Sequence, residues 1–320
     1  LSGKGSFGIF GDGKELAQIA MARCFKKGDF RSGYYRDQTF MMAKGEMSIQ
    51  QFFAALYGHA DIAAEPQSGG RQMVAHFSTQ SLNKDGSWKN LTEQNNSASD
   101  ISCTAGQMPR LVGLAQASKV YRQNKDLSDW TQFSNQGNEI AWGTIGNAST
   151  SEGHFFEAIN AAGVLQIPMV ISVWDDEYGI SVHSRHQTTK ENISEILKGF
   201  QRDKKNKGYE IIKVKGWDYP ALINAYEKAE KIAREEHVPV MVHVVEMTQP
   251  QGHSTSGSHE RYKSKERLKW EDNFDCVKMF GEWIISNNIS TQEELDEIRK
   301  VAKKKVSTEK NAAWKAYQFP

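Results

Sequence analysis

The chain has 320 residues, enough for one large domain or two small ones. Hydrophobic residues make up 38% and charged residues 25% of it, and its formal net charge is +1, so bulk electrostatics do not favour nucleic acid or a membrane surface as a partner. No apolar run approaches the roughly 18 residues that a membrane-spanning helix needs.

The three cysteines and the two chain ends give further expectations. Cys24, Cys103 and Cys276 are far apart and form no metal-like spacing, which favours a reducing, cytoplasmic location. The chain opens with LSGKG and has no initial Met, so we expect a segment before it. It ends in WKAYQFP after a charged helical stretch, which indicates a cut or a linker into a second module.

Helical and strand-like patterns alternate along the chain. Helices are predicted at 14–28, 48–58 (with Ser48 as N-cap), 107–123, 154–165 and 219–236. Buried strands are predicted at 139–145, 168–175, 209–216 and 238–247, and residues 68–105 read as long loops. This alternation predicts an α/β domain with a parallel sheet over residues 1–264. Residues 265–320 are charged and predict a helical C-terminal extension.

The segment IGNASTSEG, residues 145–153, lies between a predicted strand and a predicted helix. Free backbone N–H groups and the helix dipole suit a phosphate at such a position. A bound diphosphate usually brings a divalent metal, for which the amide of Asn147 alone is a poor site. A carboxylate is available in VWDDEYGIS, which follows the next strand and contains Asp175 and Asp176. Both segments are predicted at the carboxyl ends of strands, where open α/β sheets bind ligands.

Together the two segments resemble the cofactor motif of thiamine diphosphate enzymes. The closest pattern is that of the alpha subunit, or alpha half, of the decarboxylating component of branched-chain 2-oxo acid dehydrogenase complexes: G-E-G-x-x-S-E-G, then N-N-x-Y-x-I-S. Here it reads GNASTSEG, then DDEYGIS. The resemblance implies a three-layer thiamine-diphosphate-binding fold with thiamine diphosphate and Mg²⁺ as cofactors. The family's metal ligands fall on Asn147, Asp176 and the backbone carbonyl of Tyr178. Acid and amide are exchanged between the first two, so we expect the total ligand charge to be preserved.

The resemblance extends over nearly the whole chain. SGYYRDQ (32–38) is similar to the family's diphosphate clasp, and the cofactor-binding residues implied are Tyr35, Arg36, Gly146, Ala148 and Ser149. Ser102 and Thr104 fall where the family contacts the aminopyrimidine. QGHSTSGSHERY (251–262) resembles the active-site loop, with His253 as the catalytic histidine and Ser254 on the serine that kinases modify in mitochondrial relatives. GGRQMVAHFS (69–78) resembles a further family segment and contributes His76 as a weaker catalytic candidate.

Two departures concern the phosphate clamp. Ala148 replaces the family's third glycine, and its methyl group could crowd a close backbone approach. Trp174 replaces an arginine that reaches the diphosphate, so another cation is needed, for which Arg185 and Lys190 are candidates. Gly11–Asp12–Gly13 is too far from Asn95–Asn96 to form the family motif, and we reject it. Among the other histidines, His243 is expected in the core or paired, whereas His186 and His237 are expected to be solvated.

The implied chemistry is oxidative decarboxylation of a 2-oxo acid, with a branched-chain acid favoured, and transfer of the acyl group to a lipoyl arm. The family's proton-relaying glutamate comes from a beta part, so we expect the chain to be catalytically incomplete. The implied partners are a beta subunit or fused beta half, in a heterotetramer, and the lipoyl domain of the acyltransferase core. The alternatives are a non-catalytic alpha-like scaffold, a pyruvate-specific enzyme and a transketolase-type relative.

Overall fold

The computed structural model of the chain describes residues 4–5, 7–72, 76–254 and 258–319. Its helices are α1 Glu15–Cys24, α2 Gln38–Ala43, α3 Ile49–Tyr57, α4 Gln107–Gln123, α5 Gly153–Leu165, α6 Ile193–Ile196, α7 Tyr219–Lys231, α8 Lys265–Asn273, α9 Cys276–Ser286 and α10 Gln292–Gln318. Its strands are β1 Phe30–Ser32, β2 Asn96–Ser97, β3 Ala141–Gly146, β4 Met169–Trp174, β5 Tyr178–Gly179, β6 Val182–His183, β7 Glu210–Lys215 and β8 Val240–Val245.

The main sheet has the strand order β2-β1-β3-β4-β8-β7, and every pairing within it is parallel. Gly146 at the end of β3 lies opposite Trp174 at the end of β4, and Trp174 lies opposite Val244 in β8. The carboxyl ends of three central strands therefore meet at one edge. The predicted α/β fold with a parallel sheet is confirmed.

Both faces of the sheet are buried, as the near-continuous apolar runs of its central strands require. Val170 and Trp174 of β4 belong to a core formed with α1, α2 and α7. Ile171 and Val173, one residue out of phase, belong to a second core formed with α4, α5 and α6. Two helical layers thus enclose the sheet, which makes the three-layer arrangement that the resemblance implied.

Local signals placed most elements correctly. Helix α3 begins at a capping box in which Ser48 and Gln51 satisfy each other's backbone N–H, and it ends at Gly58, whose φ is 70°. Helix α4 has the predicted bounds, and the predicted strands agree with β3, β4, β7 and β8 to within a few residues. The predicted helix 219–236 is α7 followed by a π-helical turn, Ile232–Glu236.

The predicted C-terminal extension is helical, as α8, α9 and α10. Helix α10 packs on α3, where the rings of Trp314 and Tyr57 have centroids 5.1 Å apart. Helix α8 reaches the sheet edge, since Arg267 donates a hydrogen bond of 2.9 Å to the carbonyl of Asp176. The division at 264/265 therefore separates segments that contact each other, and two separate domains stay a prediction. None of the described helices has the length and apolar character needed to cross a membrane.

His237 is a buried residue, so the expectation that it is solvated is wrong. It follows the π-helical turn, is 8% exposed, and its Nε2 lies 3.0 Å from the carbonyl oxygen of Gly137. Burial, aided by the nearby Arg122, lowers the pKa of His237 to about 4. The unfolded chain, with a histidine pKa of about 6.5, therefore binds a proton that the folded chain does not between those two pH values.

This difference predicts a loss of stability in acid. The contribution of His237 is intact above about pH 6.5 and is lost as the pH falls toward 4. Replacing His237 by Asn, which tolerates the observed φ of 53°, should reduce the drop in unfolding free energy between pH 7 and 5 by about 2 kcal/mol. Urea denaturation at pH 7 and at pH 5 measures this drop in the free energy of unfolding. The exposed control His186→Asn should follow the wild type, and equal drops in wild type and His237→Asn would contradict the prediction.

Candidate functional site

A cleft of about 470 Å³ opens at the carboxyl ends of β3 and β4. Of the residues predicted from the sequence, those that line it are Tyr35, Arg36, Thr104, Gly146, Asn147, Ala148, Ser149, Asp176, Tyr178 and His253. These residues come from five separate segments of the chain. They converge because parallel strands place the loops that follow them at the same sheet edge.

The other two predicted residues, His76 and Ser102, are not among those that line the cleft. They are brought together with each other, through a short hydrogen bond between His76 Nε2 and Ser102 Oγ. His76 is buried. Residues 73–75 of the predicted GRQM segment and 255–257 of the predicted active-site loop lie outside the described residues.

The loop after β3 forms one wall of the cleft. Strand β3 ends at Gly146, where an added Cβ would meet only the Tyr34 hydroxyl, at 3.9 Å, so the backbone is open to a ligand. The Asn147 N–H donates to the carbonyl of Trp174 over 3.2 Å, which joins the loop to the end of β4. The Asn147 amide nitrogen is buried and has no hydrogen-bond partner among the described residues. Such buried orphan donors are rare, and this one is suited to an anionic oxygen.

The methyl group of Ala148 is accommodated by a glycine. A Cβ built on Gly179, in the hairpin of β5 and β6, would lie 2.6 Å from the Ala148 Cβ, so only glycine fits there. The methyl group therefore packs against the hairpin backbone.

Arg36 also lines the cleft and is the second source of free donors. Its guanidinium donates to the His253 carbonyl over 2.8 Å and contacts His253 Nδ1 at 3.0 Å. Arg36 Nε is buried and has no partner among the described residues, and none of their ion pairs involves Arg36. A buried guanidinium without a carboxylate is suited to a phosphate group, which it can hold through two parallel hydrogen bonds.

His253 lies half-buried in the segment after β8. Burial and then the charge of Arg36 lower the pKa of His253 to about 4, so the imidazole is neutral at pH 7. Arginine can only donate, so Nδ1 accepts from it and the imidazole proton is on Nε2. His253 thus enters the cleft as a neutral ring with a defined tautomer.

The two aspartates after β4 have different partners. Asp175 Oδ2 lies 2.9 Å from Nε2 of His243, which is fully buried, as predicted for that histidine. Asp176 faces the cleft, and its Oδ2 lies 2.9 Å from Nζ of Lys14. Burial raises the pKa of the Asp176 carboxyl, but the Lys14 ammonium, with other cations, outweighs it and holds that pKa below the ordinary value.

Lys14 was not recognised from the sequence. It precedes α1, is 2% exposed, and also donates to the Thr248 carbonyl over 3.1 Å and to Gln249 Oε1 over 2.7 Å. Its pKa is lowered from the ordinary value by burial, against the attraction of Asp176. The only local sign of its role is its position directly after Gly13, in a segment that we had rejected as a cofactor motif.

That segment has a structural role. Gly13 has a φ of 81°, and a Cβ on it would overlap the Thr248 carbonyl oxygen, so only glycine allows this approach. Asp12 accepts a hydrogen bond of 3.0 Å from the Gln251 N–H. The start of α1 is therefore fastened to the segment that carries His253.

The cations that line the cleft near Trp174, where the family has an arginine, differ from those predicted to replace that arginine. Arg185 and Lys190 are exposed and do not line the cleft, so their recruitment is wrong. Lys14 and Lys263 line it, and Lys263 is paired with Glu271 at 2.7 Å. Trp174 lines the cleft but is 1% exposed, and its indole donates to Ser172 Oγ over 2.6 Å, so most of the ring belongs to the core.

The side chains present do not fit the Mg²⁺ that the resemblance implied. Asp176 Oδ1 accepts the Tyr178 N–H over 3.1 Å, and its Oδ2 is bound to Lys14. The charge that Asp176 was expected to supply in place of Asn147 is thus neutralised by Lys14. The protein donors at this point carry no net negative charge.

Comparison with known proteins agrees with the geometry. The family Dehydrogenase E1 component matches residues 2–319. The 2-oxoisovalerate dehydrogenase subunit alpha of Bacillus subtilis (strain 168) is 26% identical over 320 residues, which cover 98% of this chain and 85% of that protein. The mitochondrial alpha subunit of the same name from Caenorhabditis elegans is 28% identical over 315 residues, 98% of this chain. Alpha subunit 1 from Arabidopsis thaliana is 26% identical over 321 residues, 99% of this chain.

The chain spans 64% and 59% of the lengths of the last two relatives. The family match covers nearly all of it, and the cleft lies where the family motif falls on the sequence. The chain therefore belongs to the dehydrogenase E1 component family.

Proposed function

We propose that this chain is the alpha part of a thiamine-diphosphate-dependent 2-oxo acid dehydrogenase that decarboxylates a branched-chain 2-oxo acid and passes the acyl group to a lipoyl domain. The observation that carries the proposal is the convergence of the motif residues on one cleft that has unsatisfied donors at Arg36 and Asn147. The branched-chain preference rests on the names of the relatives, which are 2-oxoisovalerate dehydrogenase alpha subunits.

The diphosphate is assigned to the inner part of the cleft. Arg36 would hold it through its unpaired guanidinium nitrogen, Tyr35 through its hydroxyl, and Gly146, Ala148 and Ser149 through the loop after β3. When bound, thiamine diphosphate supplies the electron sink that decarboxylation of a 2-oxo acid requires. Ser102 and Thr104 are assigned to the aminopyrimidine, and His76 to positioning Ser102 through their hydrogen bond. We do not propose Mg²⁺ at Asn147, Asp176 and Tyr178, because Lys14 already neutralises the Asp176 carboxylate.

His253 is assigned to proton transfer or charge stabilisation at the reacting carbon. Its imidazole is neutral at pH 7 and keeps its proton on the nitrogen opposite Arg36, so it donates a hydrogen bond from Nε2.

A beta part, as a separate subunit in a heterotetramer or as a fused half, is proposed to complete the active site. Among the described residues, the carboxylates that line the cleft are Asp176 and Glu152. Asp176 is bound to Lys14 and Glu152 is exposed, so neither is placed as the proton-relaying glutamate of the family. We also propose a cytoplasmic location, because Cys24 and Cys276 are buried free thiols.

A non-catalytic alpha-like scaffold is the second candidate. It is favoured by the loss of a metal-type donor set at Asp176 and by the burial of Trp174 in the core where the family has an arginine. The two candidates differ in whether thiamine diphosphate binds.

Titration calorimetry with thiamine diphosphate, with and without a candidate beta part, tests the proposal. We expect binding only when the beta part is present, since the cleft is open on one side. Arg36→Met should weaken that binding about 100-fold, because two charge-assisted hydrogen bonds to phosphate are lost. Arg185→Met, an exposed arginine near the cleft, is the matched control and should bind as the wild type does. If thiamine diphosphate does not bind even when the beta part is present, the proposed enzyme function is wrong and the scaffold function is favoured.

A further inference from the structure

Lys14 places a fixed positive charge where the family resemblance puts a metal ion. All three N–H bonds of its ammonium have acceptors, namely the Asp176 carboxylate, the Thr248 carbonyl and the Gln249 side-chain oxygen. A buried ammonium with three acceptors is fully satisfied, so it has no hydrogen bond to gain by moving elsewhere.

The backbone around Lys14 is held in place by packing. Gly13 is in close contact with Thr248, and the residues that follow Lys14 at the start of α1, Leu16 and Ala17, are buried in the core. Withdrawal of the ammonium would also leave Gln249 Oε1 and Asp176 without their partner in a buried environment, which is costly.

A divalent cation at Asp176 would stand next to this ammonium. Like charges at such a separation repel strongly in a partly buried cleft. With its charge neutralised by Lys14, Asp176 also loses most of its attraction for a metal, and Asn147 contributes only a neutral amide. Lys14 and a metal ion therefore compete for one carboxylate, and Lys14 is attached to the chain.

Among the described residues that line the cleft, one cation without a carboxylate partner remains for an anion. Arg36 has no carboxylate partner among the described ion pairs and keeps a free Nε, while the Asn147 amide nitrogen is a second free donor. Lys14 and Asp176 cancel each other's charge, so the Asp176 carboxylate no longer repels a diphosphate and Arg36 is the unpaired cation available to bind it.

We infer that this chain binds the diphosphate of its cofactor without a divalent metal ion, because the Lys14 ammonium already occupies and neutralises the Asp176 carboxylate on which the metal would be bound. The inference rests on the proposed function, because it concerns the same cofactor. It differs from the resemblance, which implies Mg²⁺ at this position.

The test is the affinity of the complete protein, with its beta part, for thiamine diphosphate in EDTA and in excess Mg²⁺. We expect the two dissociation constants of the wild type to agree within about threefold. Lys14→Gln removes the ammonium and frees Asp176, so its affinity should fall about 100-fold in EDTA and recover when Mg²⁺ is added. Lys27→Gln, at an exposed lysine outside the cleft, is the control and should behave as the wild type.

Electron paramagnetic resonance with Mn²⁺ gives a readout that is independent of activity. We expect no stoichiometric bound Mn²⁺ in the wild type with thiamine diphosphate, and one ion per site in Lys14→Gln. Wild-type binding that disappears in EDTA, one Mn²⁺ per wild-type site, or unchanged affinity of Lys14→Gln in EDTA would each overturn the inference. Failure of the wild type to bind thiamine diphosphate in either buffer would instead overturn the proposed function, and the inference with it. The wild-type measurements decide the matter even if the variant does not fold.

Discussion

Replacing His253 by Gln should lower kcat by about 10²- to 10⁴-fold, the usual contribution of a positioned proton donor or acceptor. The imidazole lines the cleft, and Arg36 fixes its orientation and tautomer through Nδ1. Glutamine keeps a similar length and can still accept a hydrogen bond from Arg36, so the walls of the cleft should persist. The affinity for thiamine diphosphate should therefore change by less than about threefold, although kcat falls by the much larger factor given above.

Steady-state kinetics of the complete protein, with calorimetry of cofactor binding, measure both quantities. His186→Gln changes an exposed histidine near the cleft and should leave kcat unchanged. The pKa of His253 is lowered to about 4, so its titration should not appear in the wild-type rate between pH 6 and 8. An equal fall in affinity and turnover in His253→Gln would assign this residue to the binding of the cofactor, against the prediction.

Much of the candidate site could be predicted because its signals are local. The segments at 145–153 and 175–181 each follow a buried strand, and the ends of neighbouring parallel strands meet. Their convergence needs only the order of the strands. The resemblance to the family motif then indicated which side chains face a ligand.

Lys14 could not be predicted in this way, because it is 162 positions from Asp176 in the chain. In the sequence it is the first residue of a predicted helix, 14–28, that also contains Lys26 and Lys27, so nothing distinguishes it from those lysines. Its burial depends on Gly13 packing against Thr248, a contact between distant segments that periodicity does not encode. The expected charge compensation between Asn147 and Asp176 therefore left out the Lys14 ammonium, which neutralises the Asp176 carboxylate.

The short strands β1 and β2 were missed for a related reason. They have three and two residues and contain polar side chains, among them Arg31 and Ser97, so no apolar pattern marks them. Tertiary contacts hold these strands in the sheet, because Arg31 is fully buried and bridges Ser97 to acidic residues of other segments. Hydrophobic periodicity reveals strands that pack through apolar side chains. It does not reveal strands such as β1 and β2, which are held by a buried ion-pair network.

That buried network predicts a large effect on stability. Arg31 donates to Asp37, to Asp100 over 2.9 Å and to Ser97 over 2.8 Å, and both aspartates are buried. Replacing Arg31 by Met keeps the side-chain volume but leaves two buried carboxylates without a countercharge. The free energy of unfolding should fall by about 3–5 kcal/mol, as is usual when one member of a buried ion pair is removed.

The loss should also depend on pH in a defined direction. In the wild type, burial already raises the pKa of the Asp37 carboxyl to about 6, although the charge of Arg31 lowers it. Without Arg31, the pKa of Asp37 should rise further above the unfolded value of about 4. A raised carboxyl pKa stabilises the folded state at low pH, and that contribution is lost as the pH rises. Arg31→Met should therefore be less destabilised at pH 5 than at pH 8 when followed by urea denaturation. Arg23→Met, at an exposed position of α1, should stay within about 0.5 kcal/mol of the wild type at both pH values. A loss for Arg31→Met that is small, or that grows toward low pH, would mean that the network contributes little to the position of β1 and β2.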